Sequence, residues 1–266
     1  MEQYLHPIGL FDSGLGGISV LAEAVRQMPE ENFIYFGDTA NMPYGDKQPE
    51  EVLKLSRQAV DRLMEMDCKA IVVACNTATS VAAKHLRQEK SFPIIGMEPA
   101  LKPAALLPGG GSILVLATQM TLQLPKFSNL MENYGQNAIP IACPGLMEFV
   151  EAGELSGSRV EAYIQKKLEP FLKAGKAIKA VVLGCTHYVF LRQTIQAVVG
   201  AEIPLVDGNE GTVRQLMRKM GELGLKQRST AQKGHVTFLT AAPQEREAVA
   251  HMETMLHRII ELEKKA

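Results

Sequence analysis

Short continuous runs of valine, isoleucine and leucine alternate along this chain with longer segments in which apolar residues recur at helical spacing. Runs of the first kind read as buried parallel strands and segments of the second as the helices that cover them, so the pattern predicts an α/β fold. Ile8-Gly9-Leu10-Phe11 opens as a strand and leads through a glycine-rich turn to a helical pattern over 18–27. Residues 32–36 form a second predicted strand, and 49–66 an amphipathic helix that runs into an apolar strand ending at Cys75. A helix over 77–87 and the short strand Pro93-Ile94-Ile95-Gly96 follow.

The strand before Cys75 occurs twice. Lys69-Ala70-Ile71-Val72-Val73-Ala74-Cys75-Asn76-Thr77 and Lys179-Ala180-Val181-Val182-Leu183-Gly184-Cys185-Thr186-His187 align without a gap, and the lysine, the alanine, one valine and the cysteine are identical. Pro108-Gly109-Gly110-Gly111 is the strongest punctuation in the chain, and the pattern restarts behind it. Residues 113–118 match 8–13, residues 139–143 match 34–38, and Pro204-Leu205-Val206 matches Pro93-Ile94-Ile95. The order of these matches and their nearly constant offset point to an internal duplication. The expected architecture is two pseudo-symmetric α/β domains with mainly parallel sheets, facing each other across a cleft. We place the first at 1–98 plus 208–266 and the second at 99–207. The tail has helical patterns at 212–223 and 243–264 and a strand at 235–239, without a counterpart in the first half, and is expected to pack on the first domain. Its charges, including Glu261, Glu263, Lys264 and Lys265, read as a solvated helix face.

Charge narrows the partners. With 28 basic and 29 acidic residues in 266, no global field favours nucleic acid or an acidic membrane, and a small-molecule partner is expected. No apolar run approaches spanning length, and Met1-Glu2-Gln3-Tyr4-Leu5-His6-Pro7 lacks the basic stretch and apolar core of a secretory signal, so the expected location is cytoplasmic. Cys68, Cys75, Cys143 and Cys185 include no CxxC pair, which disfavours a zinc knuckle and a disulfide framework, and the six histidines lack ligand spacing.

The chemistry gathers at strand ends. Asp12-Ser13-Gly14-Leu15-Gly16-Gly17 is a glycine-rich turn at a strand-to-helix junction, which suits both a carboxylate ligand and a tight structural turn; its spacing is not that of a nucleotide-binding loop. Asp12 fits a cap as well as a functional carboxylate. Cys68 and Cys143 read as small hydrophobes. Cys75 and Cys185 stand apart because each ends a strand at a helix start and precedes polar groups, Asn76-Thr77 and Thr186-His187. A helix amino terminus favours the thiolate, which serves as a base. Two such thiols related by pseudo-symmetry suit a symmetric reaction, in which one removes an α-proton and the other delivers a proton to the opposite face.

Taken together, Phe11-Asp12-Ser13-Gly14-Leu15-Gly16-Gly17, Gly37-Asp38-Thr39 with Pro43-Tyr44-Gly45, Cys75-Asn76-Thr77-Ala78 and Gly184-Cys185-Thr186-His187-Tyr188 resemble the glutamate racemases, in order and up to about Asp207. The resemblance implies a cofactor-independent, two-domain enzyme that interconverts L- and D-glutamate, supplies D-glutamate for peptidoglycan and forms a homodimer. It makes Cys75 the base acting on D-glutamate and Cys185 the base acting on L-glutamate. Asp12 and His187 would tune protonation beside the two thiols, and Glu151 matches the family's second-domain carboxylate, with Glu148 and Glu154 close by in sequence. Besides Asp12, His187 and the cysteines, the implied substrate contacts are Ser13, Pro43, Tyr44, Gly45, Asn76, Thr77, Thr118, Thr121 and Thr186. Ala117 stands where the family usually has glycine. An aspartate racemase of the same superfamily and a non-catalytic amino-acid sensor are the alternatives; a related decarboxylase would keep only one of the cysteines.

Overall fold

A computed structural model describes residues 3–175, 177–226 and 233–263. Lys264 and Lys265, assigned above to a solvated helix face, lie outside the described residues. The described residues contain nine strands: β1 (Ile8–Asp12), β2 (Phe33–Gly37), β3 (Ala70–Val73), β4 (Ile94–Gly96), β5 (Ser112–Ala117), β6 (Ala138–Ala142), β7 (Ile178–Leu183), β8 (Leu205–Asp207) and β9 (Val236–Thr240). The chain divides into two compact units, Met1–Met97 with Asn209–Ala266, and Glu98–Gly208.

The first unit is built on a five-stranded sheet of order β4-β3-β1-β2-β9, with every pair parallel. Strands β1, β2 and β3 are buried along their whole length, which accounts for their unbroken apolar sequences. Helices Pro49–Glu65 and Asn76–Glu89 pack together, while Ile18–Gln27 contacts both Asn209–Glu222 and Glu245–Glu263. The tail thus belongs to this unit, and β9 extends its sheet beyond β2.

The second unit holds a four-stranded parallel sheet of order β6-β5-β7-β8. Read from the other edge, β8-β7-β5-β6 repeats β4-β3-β1-β2 with each strand replaced by its expected counterpart. Alternate residues of β5 (Ile113, Val115) and β7 (Ala180, Val182) share one face and pack against Leu101 and Ala104 of helix Leu101–Leu106 and Phe127 and Leu130 of helix Pro125–Tyr134.

The two copies differ where the cysteines hand over to the next element. Cys75 caps the α-helix Asn76–Glu89 directly. Cys185, expected to enter a helix likewise, is followed by a 3-10 stretch, Thr186–Leu191, before the α-helix Arg192–Val199. All six side chains of that stretch are buried, a demand that an amphipathic α-helix with one solvent face does not meet.

The repeated lysines also diverge. Lys179 donates to the Ala105 carbonyl (2.8 Å). Lys69 donates to the Tyr4 carbonyl (2.6 Å) and forms an ion pair with Glu31, both side chains being at most 2% exposed. Burial lowers the Lys69 pKa, and Glu31 opposes that shift. Removing the carboxylate alone leaves a buried ammonium uncompensated, so Glu31→Ala should cost about 3–5 kcal/mol in urea denaturation, whereas Glu31→Leu with Lys69→Met should recover most of the loss. Equal destabilisation by the single and double changes would contradict this account.

Candidate active site

Each unit carries its candidate residues at the carboxyl edge of its sheet, where parallel strands bring consecutive βα turns side by side. In the first unit, β1 ends on Asp12, which is fully buried, and whose Oδ1 accepts the Gly14 N–H (2.8 Å). Tyr35 donates its hydroxyl to the Gly14 carbonyl (2.7 Å), fixing the turn from below. At Gly17 an added Cβ would stand 2.7 Å from the Asp12 Cβ and 3.0 Å from the Ala74 Cβ, so only glycine lets the turn pass between the ends of β1 and β3.

Cys75 lies in that crowded corner. Its Sγ accepts the Ala78 N–H (3.4 Å) and stands 3.7 Å from the Ser13 hydroxyl. The amino terminus of helix Asn76–Glu89 therefore presents its positive partial charge to the sulfur. Thr77 is buried in the first helical turn, and the buried Asn76 Oδ1 has no hydrogen-bond partner among the described residues. An acceptor of that kind suits the ammonium of an amino acid.

The loop after β2 completes the first unit's group of candidate residues. Pro43 precedes the 3-10 turn Tyr44–Asp46, which includes Gly45. Tyr44 is buried and donates to Asp38 Oδ2 (2.6 Å), while Asn41 Nδ2 donates to Asp38 Oδ1 (2.9 Å). Burial, reinforced by the hydrogen bond to Asp38 and by the negative field of Asp38, Cys75 and Asp12, raises the Tyr44 pKa far above the ordinary phenol value. Tyr44 thus remains a neutral donor. Asp38, present in the motif but absent from the expected site residues, is the group that orients Tyr44. Its sequence signal was its place at the end of a buried strand, immediately after β2.

The second unit repeats the backbone frame. Ala74 and Gly184 donate to Phe11 and Leu116 (2.8 and 2.7 Å), and Asp38 and Cys143 donate to Asp12 and Ala117 (3.0 and 3.1 Å). The side chains on that frame are different. Cys185 Sγ stands 3.7 Å from His187 Nδ1, and His187 Nε2 is 2.6 Å from Glu151 Oε1 at the end of helix Leu146–Glu151. Of the three neighbouring glutamates, Glu151 alone has this contact among the described residues, since Glu154 pairs with Arg159 and Glu148 is exposed. Burial by itself lowers the His187 pKa, but hydrogen bonds to Cys185 and Glu151 outweigh it and raise the pKa well above 6.5. That direction favours the charged ring, a form in which both ring nitrogens donate.

Three further expected residues lie in this unit. Thr186 is buried at the start of the 3-10 stretch. Thr118, at the end of the neighbouring strand β5, caps helix Gln119–Gln123 by accepting the Thr121 N–H (3.2 Å) and donates to Thr121 Oγ1 (2.9 Å). Ala117 is accommodated as the last residue of β5, fully buried. Tyr188 donates to the Cys143 carbonyl (3.1 Å). Burial pushes the Cys143 and Cys68 thiols up to about 12, so both stay protonated and inert at neutral pH. Among the described residues no group of three or more His, Cys, Asp and Glu could hold a metal ion, and no helix is long and apolar enough to cross a membrane.

Known proteins resemble this chain in sequence and fold. The family model described as Asp/Glu/Hydantoin racemase matches residues 12–216. The glutamate racemase of Clostridium perfringens is 50% identical over 226 residues, 84% of this chain and 86% of that protein. Among solved structures, the glutamate racemase of Thermus thermophilus is 34% identical with a TM-score of 0.78, over 96% of this chain and 93% of its own. That of Escherichia coli, solved with L-glutamate and the activator UDP-MurNAc-Ala, is 28% identical with a TM-score of 0.80, over 96% of this chain and 95% of its own. With a family match across most of its length and a relative at this identity, the chain belongs to the Asp/Glu/hydantoin racemases, within their glutamate racemase branch.

Proposed function

We propose that this protein interconverts L- and D-glutamate by a cofactor-independent transfer of the α-proton between two thiols, Cys75 and Cys185. The observation that carries this reading is the recurrence of one strand order with a cysteine two residues beyond the equivalent strand in each copy. Cys185 removes the proton from L-glutamate and becomes a thiol, and Cys75 protonates the opposite face of the carbanion and becomes a thiolate; the reverse direction exchanges these roles. Both sulfurs must then exchange protons with their surroundings before the next turnover in the same direction. Asn76 accepts from the substrate ammonium, and the hydroxyls of Ser13, Thr77, Thr118, Thr121 and Thr186, with Tyr44, Pro43 and Gly45, line the remaining contacts. D-Glutamate made in this way supplies peptidoglycan synthesis. Cytoplasmic location belongs to the same reading, and homodimer formation rests on the family resemblance.

The two thiols work in unlike surroundings. Cys75 has a helix amino terminus, the Ser13 hydroxyl and the nearby carboxylate of Asp12, whereas Cys185 has the His187 imidazolium held by Glu151. The imidazolium compensates the Cys185 thiolate, and Glu151 keeps the ring charged. The sign of the linkage follows from the raised His187 pKa. Its proton contributes to folding stability in full below pH 6.5, and the contribution is lost as pH rises through the higher value of the folded protein. In Glu151→Gln one of the two opposing hydrogen bonds weakens and burial gains ground, so the His187 pKa should fall; ¹⁵N NMR titration of the ring would detect it. An unchanged titration would remove Glu151 from this role.

The functional reading is tested by incubating the purified protein with L-glutamate in D₂O. Optical rotation should fall to zero while deuterium enters the α-carbon. Rotation that holds steady on glutamate but decays on aspartate would identify the aspartate enzyme, and binding without exchange would identify a sensor. Cys75→Ala and Cys185→Ala should each slow racemisation by more than about 10²-fold while circular dichroism stays native. Substantial turnover by either folded variant would sink the two-thiol mechanism.

A further inference from the structure

The first unit has a part that the second lacks. Strand β9 and helix Glu245–Glu263 have no counterpart in the four-stranded sheet and lie beyond the family-matched residues 12–216. Strand β9 pairs in parallel with β2, which brings Thr240 opposite Gly37, immediately before the loop that carries Tyr44.

Two contacts join this tail to the first half-site. The Thr240 hydroxyl, almost fully buried, lies 2.8 Å from the Thr39 hydroxyl, and its oxygen also accepts the Ala242 N–H (3.0 Å). Thr39 follows Asp38 and opens the 3-10 turn Thr39–Asn41, closed by the Asn41 N–H on the Asp38 carbonyl (3.0 Å). The second contact lies beneath Gly37. A Cβ added there would come within 2.5 Å of the buried Met252 methyl and 3.0 Å of the Gly14 carbonyl. The tail therefore reaches the loop after β2 and the end of β2 itself.

We propose that residues 233–263 form a positioning element for the substrate loop of the first half-site, and that Thr240 is the positioning residue, acting through Thr39. This rests on the function proposed above. Residues 39–46 consist of two short 3-10 turns without a strand partner, so an anchor at their start removes conformational freedom that substrate binding would otherwise have to remove. Anchoring sets Asp38, and Asp38 sets Tyr44. The chemistry at the thiols is untouched, and the effect falls on binding.

Steady-state kinetics in both directions on Thr39→Val, Thr240→Val, Thr240→Ser and the double valine variant provide the test, together with amide hydrogen exchange. Thr39→Val should raise KM for both enantiomers about fivefold, the worth of one net hydrogen bond, and Thr240→Val, which also loses the Ala242 hydrogen bond, by at least as much, with kcat nearly constant in both. Serine at 240 should restore KM, and the double variant should match Thr240→Val, which already breaks the shared contact together with the Ala242 hydrogen bond. Exchange over 39–47 should accelerate about fivefold without change in helix Pro49–Glu65. Unchanged KM and unchanged exchange in folded Thr39→Val overturn the inference, and this variant remains informative if Thr240→Val fails to fold. A wild-type protein inactive on glutamate overturns the functional reading instead, while accelerated exchange confined to 39–47 in Thr240→Val would still uphold the anchoring.

Discussion

Peptide hydrogen bonds between the ends of adjacent parallel strands are the constraint on which the candidate site depends. The Ala74 N–H on the Phe11 carbonyl and the Gly184 N–H on the Leu116 carbonyl hold the third strand of each copy level with the first. Because the cysteine comes next in both copies, this pairing sets each sulfur at the sheet edge beside the turn that follows the first strand. Parallel strands stop together, and their βα turns consequently meet. Glycine at position 17 is required by the same closeness, since no side chain fits between Asp12 and Ala74.

On one backbone frame the two units place opposite electrostatic solutions. The first sets a helix amino terminus and the Ser13 hydroxyl at its thiol, while Asp38 holds the buried Tyr44 as a neutral donor. The second places a buried imidazole against its thiol and the Glu151 carboxyl group behind the ring, which favours the charged ring. The residue at the end of the second strand shows the divergence most directly. Asp38 uses its carboxylate to hold a tyrosine, while Cys143, with the same backbone hydrogen bond, keeps an inert thiol and receives a tyrosine at its carbonyl. Duplication preserved the scaffold, and divergence assigned each copy its own way of stabilising charge.

The tail adds an asymmetry of another kind. The β2 edge of the first sheet is covered by β9, whereas β6 is an edge strand among the described residues. Covering β2 extends the peptide ladder to the point where the Tyr44 loop begins, and Met252 supports the same strand end. A segment outside the family-matched region is in this way continuous with the sheet that carries the first unit's candidate residues.

Sequence by itself determined the α/β class, the duplicated cysteine strands and the residues at the strand ends, because buried parallel strands must be apolar throughout and must break where the chain turns. Repetition of the lysine-to-cysteine run made the duplication visible without any coordinates. Tertiary structure decided what each polar residue touches. Glu151 was one of three glutamates close in sequence, and only packing of helix Leu146–Glu151 against the 3-10 stretch sets it on His187. The 3-10 form of Thr186–Leu191, the Asp38–Tyr44 hydrogen bond and the Thr39–Thr240 contact across 201 positions were likewise hidden, since each depends on partners distant in sequence. Local propensity and periodicity carry information over one or two turns of chain, and contacts between elements are settled only when the whole core packs.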